Sequence, residues 1–344
     1  MMEVQLCGSY FEMGEQHGAI LKDEINAFLN DGLFQINELS CKPINKNNIH
    51  VYVEVYKEMI QLHLPEVYEE ITGLAQGAAI TIDEAILLQV RREIIGIGSF
   101  TLLGDCSSFG IHKPGNIVTA QTIDLNGRMT SLGHVIRWRP TNKDNLEVLQ
   151  YSFAGLLGYA GMNNRGLAIT INLVVSDGWK AGIPPYLLVR KFLECNTINE
   201  CIDLIEEIPI ASSRSFIIQD KERQIILEVT PTQHRIIESG ILLHTNHYLH
   251  EELLHLDKLN IFSKNSSIKR LNILKSHLNE QSGLEDIVSI FKDHSVFPVG
   301  ICAHNEDNSK SNETVASVIM YPEKQHFYAL RGKPCQNNYN LYSF

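Results

Sequence analysis

The chain has 344 residues, 44% of them hydrophobic, and a formal net charge of −11. This length allows a large buried core, and the negative charge makes nucleic acid and anionic membrane surfaces unfavourable partners. No apolar run reaches the roughly 18 residues of a membrane helix and no signal-peptide pattern is visible, so the sequence predicts a soluble, cytoplasmic protein without a membrane partner.

The first part of the chain has helical periodicity. Residues 9–95 are predicted to be mostly helical, because apolar residues such as Phe11, Ile25 and Phe28 recur at helical spacing. Thr81 and Glu84 have the spacing of a capping box and predict a helix start.

After Gly104 the pattern changes to alternation and short β-branched runs, which predict strands. The segments SFIIQD and QIILEVT predict a hairpin, and so do the two arms around PEKQ near the end of the chain. Capping boxes at 197–200 and 282–285 predict two more helices. We therefore expect a single α+β domain over 1–344, arranged as a helix-sheet-sheet-helix sandwich. The candidate strands are 107–111, 116–125, 133–139, 146–153 and 166–175.

The cysteines do not form a recognisable framework. Their number is odd, their spacing is scattered and no CxxC pair occurs, so neither a disulfide framework nor a thiolate zinc site is expected. Most of these thiols should be reduced and inert. The cysteines are Cys7, Cys41, Cys106, Cys195, Cys201, Cys302 and Cys335.

Cys106 differs from the others in its surroundings. It follows Gly104 and Asp105, which have turn chemistry, and it opens a predicted strand. A buried structural thiol and a catalytic nucleophile are both compatible with this position.

Three polar residues are further candidates. Asp124 follows an apolar strand and precedes Leu-Asn-Gly, where it could simply start a turn. Asn172 interrupts an apolar strand, and a buried amide needs hydrogen-bond partners. Asn246 in LLHTNH raises the same question at a strand end.

The sequence gives less support to a metal site, a phosphate-binding loop or a serine nucleophile. The histidines of HTNHYLHEELLH would spread around a helix and form no HExxH motif, so no metal is predicted there. GNIVTAQTIDLNG lacks the glycines of a phosphate-binding loop, GMNNRG indicates a turn, and no GxSxG elbow is present. The four histidines are His244, His247, His250 and His255.

Motifs along the whole chain, taken in order, resemble one protein family. They include GDCSSF, QTIDLNG, GMNNRGLAITIN, SRSFIIQD, LLHTNHYL, SSIKRL, ICAH, ETVASVIMYP and RGKPCQNNY. The family is that of acyl-coenzyme A:6-aminopenicillanic acid acyltransferase (isopenicillin-N acyltransferase), within the N-terminal-nucleophile (Ntn) hydrolases. It is more distantly similar to penicillin V acylase and bile salt hydrolase. The resemblance extends from about Gly8 to Tyr339.

This resemblance implies a four-layer αββα fold and a precursor that cleaves itself before its nucleophile. Here the scissile bond is Asp105–Cys106, and cleavage would give an α chain of residues 1–105 and a β chain of residues 106–344. The resemblance also implies that Cys106 is the nucleophile and that Asp124 is the acidic residue beside the new amine. Asn246 would donate to the oxyanion, with Asn172 as a second donor.

The chemistry explains why such a cysteine needs processing. A mid-chain thiol lacks a base, whereas cleavage exposes an α-amine whose pKa of about 7.7–8.0 suits proton transfer near neutral pH. We predict a cysteine amidohydrolase or acyltransferase that cleaves a linear amide of a small molecule or peptide through an acyl-thioester. No cofactor is predicted, although coenzyme A could serve as acyl donor or acceptor. A non-catalytic relative and a metal-dependent hydrolase remain alternatives.

Overall fold

The computed structural model describes residues 1–39, 44–96, 106–297, 300–305 and 312–344, with backbone only for 31–39 and 96. The predicted helical segment 9–95 is confirmed, since it forms helices α1 to α5. The helices are α1 (Tyr10–Ile20), α2 (Lys22–Leu39), α3 (Ile49–His63), α4 (Pro65–Ala78), α5 (Ile82–Gly96), α6 (Pro185–Phe192), α7 (Ile198–Glu207), α8 (Ile261–His277) and α9 (Leu284–Phe291).

The strands follow the predicted segments closely where the sequence pattern marks them. β2, β3, β4, β5 and β7 begin and end within about two residues of the predicted bounds, and both predicted hairpins are present as β8–β9 and β12–β13. The pattern does not predict β1, β6, β10 or β14. The strands are β1 (Glu3–Gly8), β2 (Ser107–Lys113), β3 (Asn116–Asn126), β4 (Gly133–Pro140), β5 (Val148–Phe153), β6 (Ala160–Asn163), β7 (Ala168–Leu173), β8 (Arg214–Gln219), β9 (Gln224–Val229), β10 (His234–Glu238), β11 (Ile241–His244), β12 (Asn312–Tyr321), β13 (His326–Arg331) and β14 (Asn340–Ser343).

Two of the three predicted helix starts have the expected caps. The backbone N–H of Glu84 donates to Thr81 Oγ1 (3.2 Å), and Thr81 N–H donates to Glu84 Oε2 (2.8 Å). Thr197 accepts from the Glu200 N–H in the same way. The box predicted at Ser282 is wrong by one residue. Gly283 caps α9 instead, with its N–H donating to Asp286.

The described strands form two sheets. One has the order β1-β4-β5-β6-β7-β8-β9-β10, and the other has the order β11-β2-β3-β12-β13-β14. Only the β1–β4 pair among these strands is parallel. The register of β3 and β12 shifts beside Asp124, which pairs with Thr314, so that Val315 is the extra residue of a bulge.

The sheets stack face to face, and buried polar side chains connect them. Gln219 Nε2 donates to the Ile111 carbonyl (2.9 Å), Thr119 Oγ1 donates to Gln219 Oε1 (2.7 Å), and Ser108 Oγ donates to Asn172 Oδ1 (2.5 Å). These pairs join β2 and β3 of one sheet to β7 and β8 of the other. Each partner satisfies a group that would be costly to bury alone.

Helices cover the outer faces. Apolar residues of α1 to α7 pack in one core with the eight-stranded sheet. Ile273 and Leu274 of α8 and Ile287 and Phe291 of α9 form a second core with the outer face of the six-stranded sheet. The predicted αββα sandwich of the α+β class is therefore confirmed.

Helices α1 and α4 approach each other very closely because glycines face the contact. A Cβ on Gly14 would lie 1.9 Å from the Glu70 carbonyl oxygen, and one on Gly73 would lie 2.0 Å from the Phe11 carbonyl oxygen. Only a residue without a side chain fits there.

No single described helix is long and apolar enough to cross a membrane. Helices α4 and α5, which are bent by 117° relative to each other, meet the length and composition of a span only when they are taken together.

Candidate active site

Cys106 immediately precedes β2 and lies where the two sheets face each other. Its side chain is buried, with 4% of its surface exposed, and its Sγ is 3.9 Å from the hydroxyl oxygen of Tyr159. The carbonyl oxygen of Cys106 accepts hydrogen bonds from Arg270 Nη1 (2.7 Å) and Asn172 Nδ2 (3.2 Å). Asp105, the other half of the predicted cleavage site, lies outside the described residues.

Burial makes the Cys106 thiol a weak acid in this structure. Its pKa is raised to about 11, first by burial and then by the negative charge of Asp124. Hydrogen bonds with the Asp124 backbone and the Tyr159 hydroxyl, together with the charge of Arg270, oppose the rise. At neutral pH the thiol is therefore protonated, and it needs a base before it can attack.

Asp124 belongs to β3 rather than to a turn, so the interpretation of this residue as a turn start is wrong. The strand continues to Asn126, and Asp124 is fully buried. Its Oδ1 accepts a 2.6 Å hydrogen bond from Thr314 Oγ1 across the bulged β3–β12 pair. A carboxylate held in this way beside Cys106 can hold a cation, such as an α-ammonium group, by a charge-assisted bond.

The two predicted asparagines are brought to Cys106 from different directions. Asn172, on β7, accepts from Ser108 Oγ through its Oδ1 and donates to the Cys106 carbonyl through its Nδ2. Asn246 follows β11. Its Nδ2 donates to the Leu173 carbonyl (3.0 Å), and its backbone N–H donates to Ser267 Oγ (2.8 Å). The structure thus brings together all four predicted residues.

Arg270 and Tyr159 are two further residues of the site that sequence reasoning missed. Arg270, on α8, is fully buried, and its guanidinium donates to the Cys106 carbonyl, to Ser107 Oγ (2.9 Å) and to Asn246 Oδ1 (2.8 Å). The motif SSIKRL contains Arg270, but a single arginine in a helix has no periodic or spacing signal. Tyr159 lies in a Gly-rich segment that resembles a turn.

A small cavity borders the thiol. Its volume is about 10 Å³, roughly the space of a single water molecule. A neighbouring cavity shares Tyr159, Tyr186 and Arg92 with it and is otherwise mainly apolar, with Phe28, Leu88, Met129 and Phe153 in its wall. The first cavity is lined by Arg92, Cys106, Asp124, Leu125, Tyr159, Ile171, Leu173, Tyr186 and Arg214.

The histidines of residues 244–255 do not converge. His244 Nε2 pairs with the buried carboxylate of Glu228 (2.9 Å), and His247 Nδ1 contacts Ser267 Oγ (2.7 Å). His250 caps a short 3-10 helix through the Glu252 N–H, and His255 is exposed. These are structural and solvated roles, so the alternative of a metal-dependent hydrolase at these histidines has no support among the described residues.

Two stacked sheets lie between helical layers, and the buried thiol at the start of a strand has amide and carboxylate groups around it. The chain belongs to the acyl-coenzyme A:6-aminopenicillanic acid acyl-transferase family, whose sequence profile matches residues 113–335. The matched range includes Asp124, Asn172 and Asn246 and begins after Cys106. This membership confirms the predicted family and the prediction of an enzyme, here of an acyltransferase family.

The individual relatives have low sequence identity to this chain. The acyl-coenzyme A:6-aminopenicillanic-acid-acyltransferase 40 kDa form of Emericella nidulans is 21% identical over 336 residues, which cover 93% of this chain and 89% of that protein. Penicillin V acylase from Agrobacterium tumefaciens is 14% identical, with a TM-score of 0.45 over 70% of this chain and 86% of that one. A mutant of conjugated bile acid hydrolase from Clostridium perfringens is 13% identical, with a TM-score of 0.42 over 70% of this chain and 97% of that one. At these scores neither structural likeness bears on activity.

Proposed function

We propose that this protein is a self-processing cysteine amidohydrolase or acyltransferase that uses Cys106 as its nucleophile. The observation that carries the proposal is the buried Cys106 thiol with a raised pKa, placed beside Asp124 at the start of β2. A thiol with a pKa of about 11 is inert at neutral pH, so the chain needs a base. Cleavage of the Asp105–Cys106 bond would create that base on the same residue, as an α-amine.

The surrounding groups fit the needs of such a terminus. Arg270 and Asn172 hold the Cys106 carbonyl and so orient the residue after cleavage. The carboxylate of Asp124 would hold the α-ammonium form between proton transfers. Because this negative charge also raises the pKa of the amine, burial must act against it to keep part of the amine neutral.

The reaction then proceeds through a thioester. The neutral amine accepts the thiol proton, Sγ bonds to the substrate carbonyl carbon, and the C–N bond breaks as the proton passes to the leaving amine. Asn246 would stabilise the oxyanion: among the described residues its Nδ2 donates to the Leu173 carbonyl, and its second amide N–H would donate to the substrate. Asn172 would contribute its second N–H in the same way. Attack on the thioester by water or by another nucleophile frees Cys106.

The acyl group that best fits this site is apolar. The larger part of the neighbouring cavity wall consists of aromatic and aliphatic side chains, with Tyr159 and Tyr186 stacked at 5.4 Å between ring centroids. The cavity at Cys106 has no room for an acyl group at its present volume, so binding requires the wall to open. The substrate is a linear amide of a small molecule or peptide. A reducing compartment such as the cytoplasm would keep the Cys106 thiol active.

Transfer to or from coenzyme A is the second candidate, favoured by membership of an acyltransferase family. The two activities differ in whether water reaches the thioester. Incubation of the enzyme with an amide substrate, with and without coenzyme A or a nucleophilic amine, separates them. Acylated acceptor in place of free acid identifies a transferase.

Intact-mass analysis under denaturing, reducing conditions tests the processing step. By residue number, the 38.9 kDa chain should divide into pieces of about 12 and 27 kDa, and the larger should begin at Cys106. Cys106→Ala should remain one chain without amidase activity. Cys201→Ala, which changes another buried thiol, should still be cleaved. Cleavage of the Cys106→Ala chain at the same bond, or full amidase activity in it, would contradict the proposal.

A further inference from the structure

A cluster of two cysteines and two histidines lies at the base of β12, and none of the four lines the cavity at Cys106. The Sγ atoms of Cys302 and Cys335 are 3.5 Å apart, and His304 Nε2 lies 3.7 Å from the first and 3.5 Å from the second. His294 Nε2 is 3.1 Å from His304 Nε2. All four ligand atoms lie within 4.8 Å of one another.

Four of the six pairwise separations are close to those of a tetrahedral metal site. With Zn–S near 2.3 Å and Zn–N near 2.0–2.1 Å, ideal tetrahedral geometry places the ligand atoms about 3.8 Å (S to S), about 3.6 Å (S to N) and about 3.3 Å (N to N) apart. Two thiolates and two imidazoles are the donor set that tetrahedral zinc prefers. We propose that His294, Cys302, His304 and Cys335 form a structural Zn²⁺ site.

The ligands come from three segments of the chain, of which the one with Cys335 is distant in sequence from the other two. His294 follows α9, Cys302 and His304 precede β12, and Cys335 lies in the turn after β13. The backbone N–H of Cys302 donates to the Asp293 carbonyl (3.2 Å), which holds two of these segments together. Four protein ligands leave no open position for substrate, so the ion joins segments and does not take part in the reaction.

A disulfide is the competing explanation for the two sulfurs. Bonded sulfurs lie about 2.05 Å apart, whereas Cys302 and Cys335 are separated by 3.5 Å and are free thiols. A disulfide would also not require the two imidazoles, which lie within hydrogen-bond distance of each other, to converge beside the sulfurs. The convergence of all four side chains favours the metal.

The proposed ion connects to the candidate active site through two residues, Ala303 and Thr314. Ala303 lies between two of the ligands, and its N–H and C=O bond to the Thr314 Oγ1 (2.9 Å) and N–H (3.1 Å). The same Thr314 hydroxyl donates to Asp124. Ordering of residues 302–304 by zinc would therefore order the carboxylate beside Cys106.

Metal analysis of the full-length protein tests the site. Wild-type protein purified without chelator should contain one zinc per chain by elemental mass spectrometry. The double variant Cys335→Ser, His304→Ala should lose nearly all of it. The matched double variant Cys195→Ser, His255→Ala changes the same residue types outside the cluster and should keep its zinc.

A second measurement does not depend on the folding of a variant. Replacement of zinc by Co²⁺ in the wild-type chain should produce the visible absorption of thiolate-bound tetrahedral cobalt, and chelation should lower the melting temperature by several degrees. Wild-type protein without zinc after incubation with excess Zn²⁺ would overturn the proposal. So would equal zinc in both double variants, or a Cys302–Cys335 disulfide detected as the loss of two hydrogens by non-reducing mass spectrometry.

Discussion

Two regions of this molecule bury charged groups, and they use them differently. Between α4 and α6, the Arg190 guanidinium donates to Glu70 Oε2 (2.9 Å) and Glu194 Oε1 (2.7 Å), and Tyr10 donates to Glu194 as well (2.8 Å). At Cys106, the partners that the structure describes for Arg270 include a backbone carbonyl, a hydroxyl and an amide oxygen.

The buried charges of the first region stabilise the fold, whereas the polar groups of the second region surround the candidate catalytic thiol. The Arg190 region joins helices of one layer by opposite charges, and Arg190 also stacks on the Trp138 ring at 3.7 Å. The Cys106 region instead arranges polar groups from β3, β7, α8 and the segment after β11 around a single thiol. Substitutions in the first region should therefore change folding, and those in the second should mainly change turnover.

Glu70→Ala should have the largest effect. It leaves the buried Arg190 without one of its two carboxylates, so the free energy of unfolding should fall by about 3–5 kcal/mol. Urea unfolding measures this loss. Glu66→Ala is the control, because the Glu66 side chain is 39% exposed in its pair with Lys191, and it should cost less than about 1 kcal/mol. Equal losses in the two variants would remove the distinction between the regions.

Asn246→Ala should lower turnover by about 10²–10³-fold, because one oxyanion donor is lost. Stability should fall less than in Glu70→Ala, by about 1–3 kcal/mol, since Arg270 loses one neutral acceptor. Steady-state kinetics on the folded variant measures the first effect. Asn116→Ala is the control. Asn116 lies on β3 of the six-stranded sheet that also contains β11, but it bonds to the 280–282 turn, so this variant should be fully active. Near-normal turnover in Asn246→Ala would exclude the oxyanion role.

His17 should make the helical region sensitive to acid. It is fully buried, its Nε2 accepts from the Gly155 N–H, and burial together with nearby His134 lowers its pKa to about 4 from 6.5. The unfolded chain therefore binds the proton more readily. The stabilising contribution is complete above pH 6.5 and declines as the pH falls towards 4, by about 2–3 kcal/mol.

Unfolding measured from pH 7 to pH 4 tests this decline. His17→Gln should lose the corresponding part of the pH dependence, whereas His50→Gln, which changes an exposed histidine, should retain it. An unchanged acid profile in His17→Gln would assign the decline to other groups.

Thr314→Val should have the smallest effect. It removes the hydroxyl that bonds Asp124 while the carboxylate remains, so turnover should fall by roughly tenfold, equivalent to about 1.4 kcal/mol. Thr314→Ser should restore most of the rate because it keeps the donor. A rate loss in Thr314→Ser as large as in Thr314→Val would mean that packing, and not the hydrogen bond, is responsible.

The amino-acid sequence by itself determined the elements whose signals are local. The capping box at Thr81, the arms of the β8–β9 hairpin and the bounds of β3 follow from periodicity and turn chemistry within a few residues. The motif order also indicated Cys106, Asp124, Asn172 and Asn246, and the structure places all four together. Ser282 failed as a cap because its Oγ accepts from the Asn279 N–H (3.1 Å), and the capping bond to the helix forms one residue later, from the Gly283 N–H to Asp286.

Only the tertiary structure decided the contacts that join distant segments. Arg270 is 164 residues from the Cys106 carbonyl that it bonds, and Cys302 and Cys335 meet across 33 residues and two strands. The spacing of residues along the chain does not predict that such distant segments come into contact. They arise because stacking two sheets and covering them with helices buries apolar surface, and the polar side chains left inside must then find partners wherever the packing brings them.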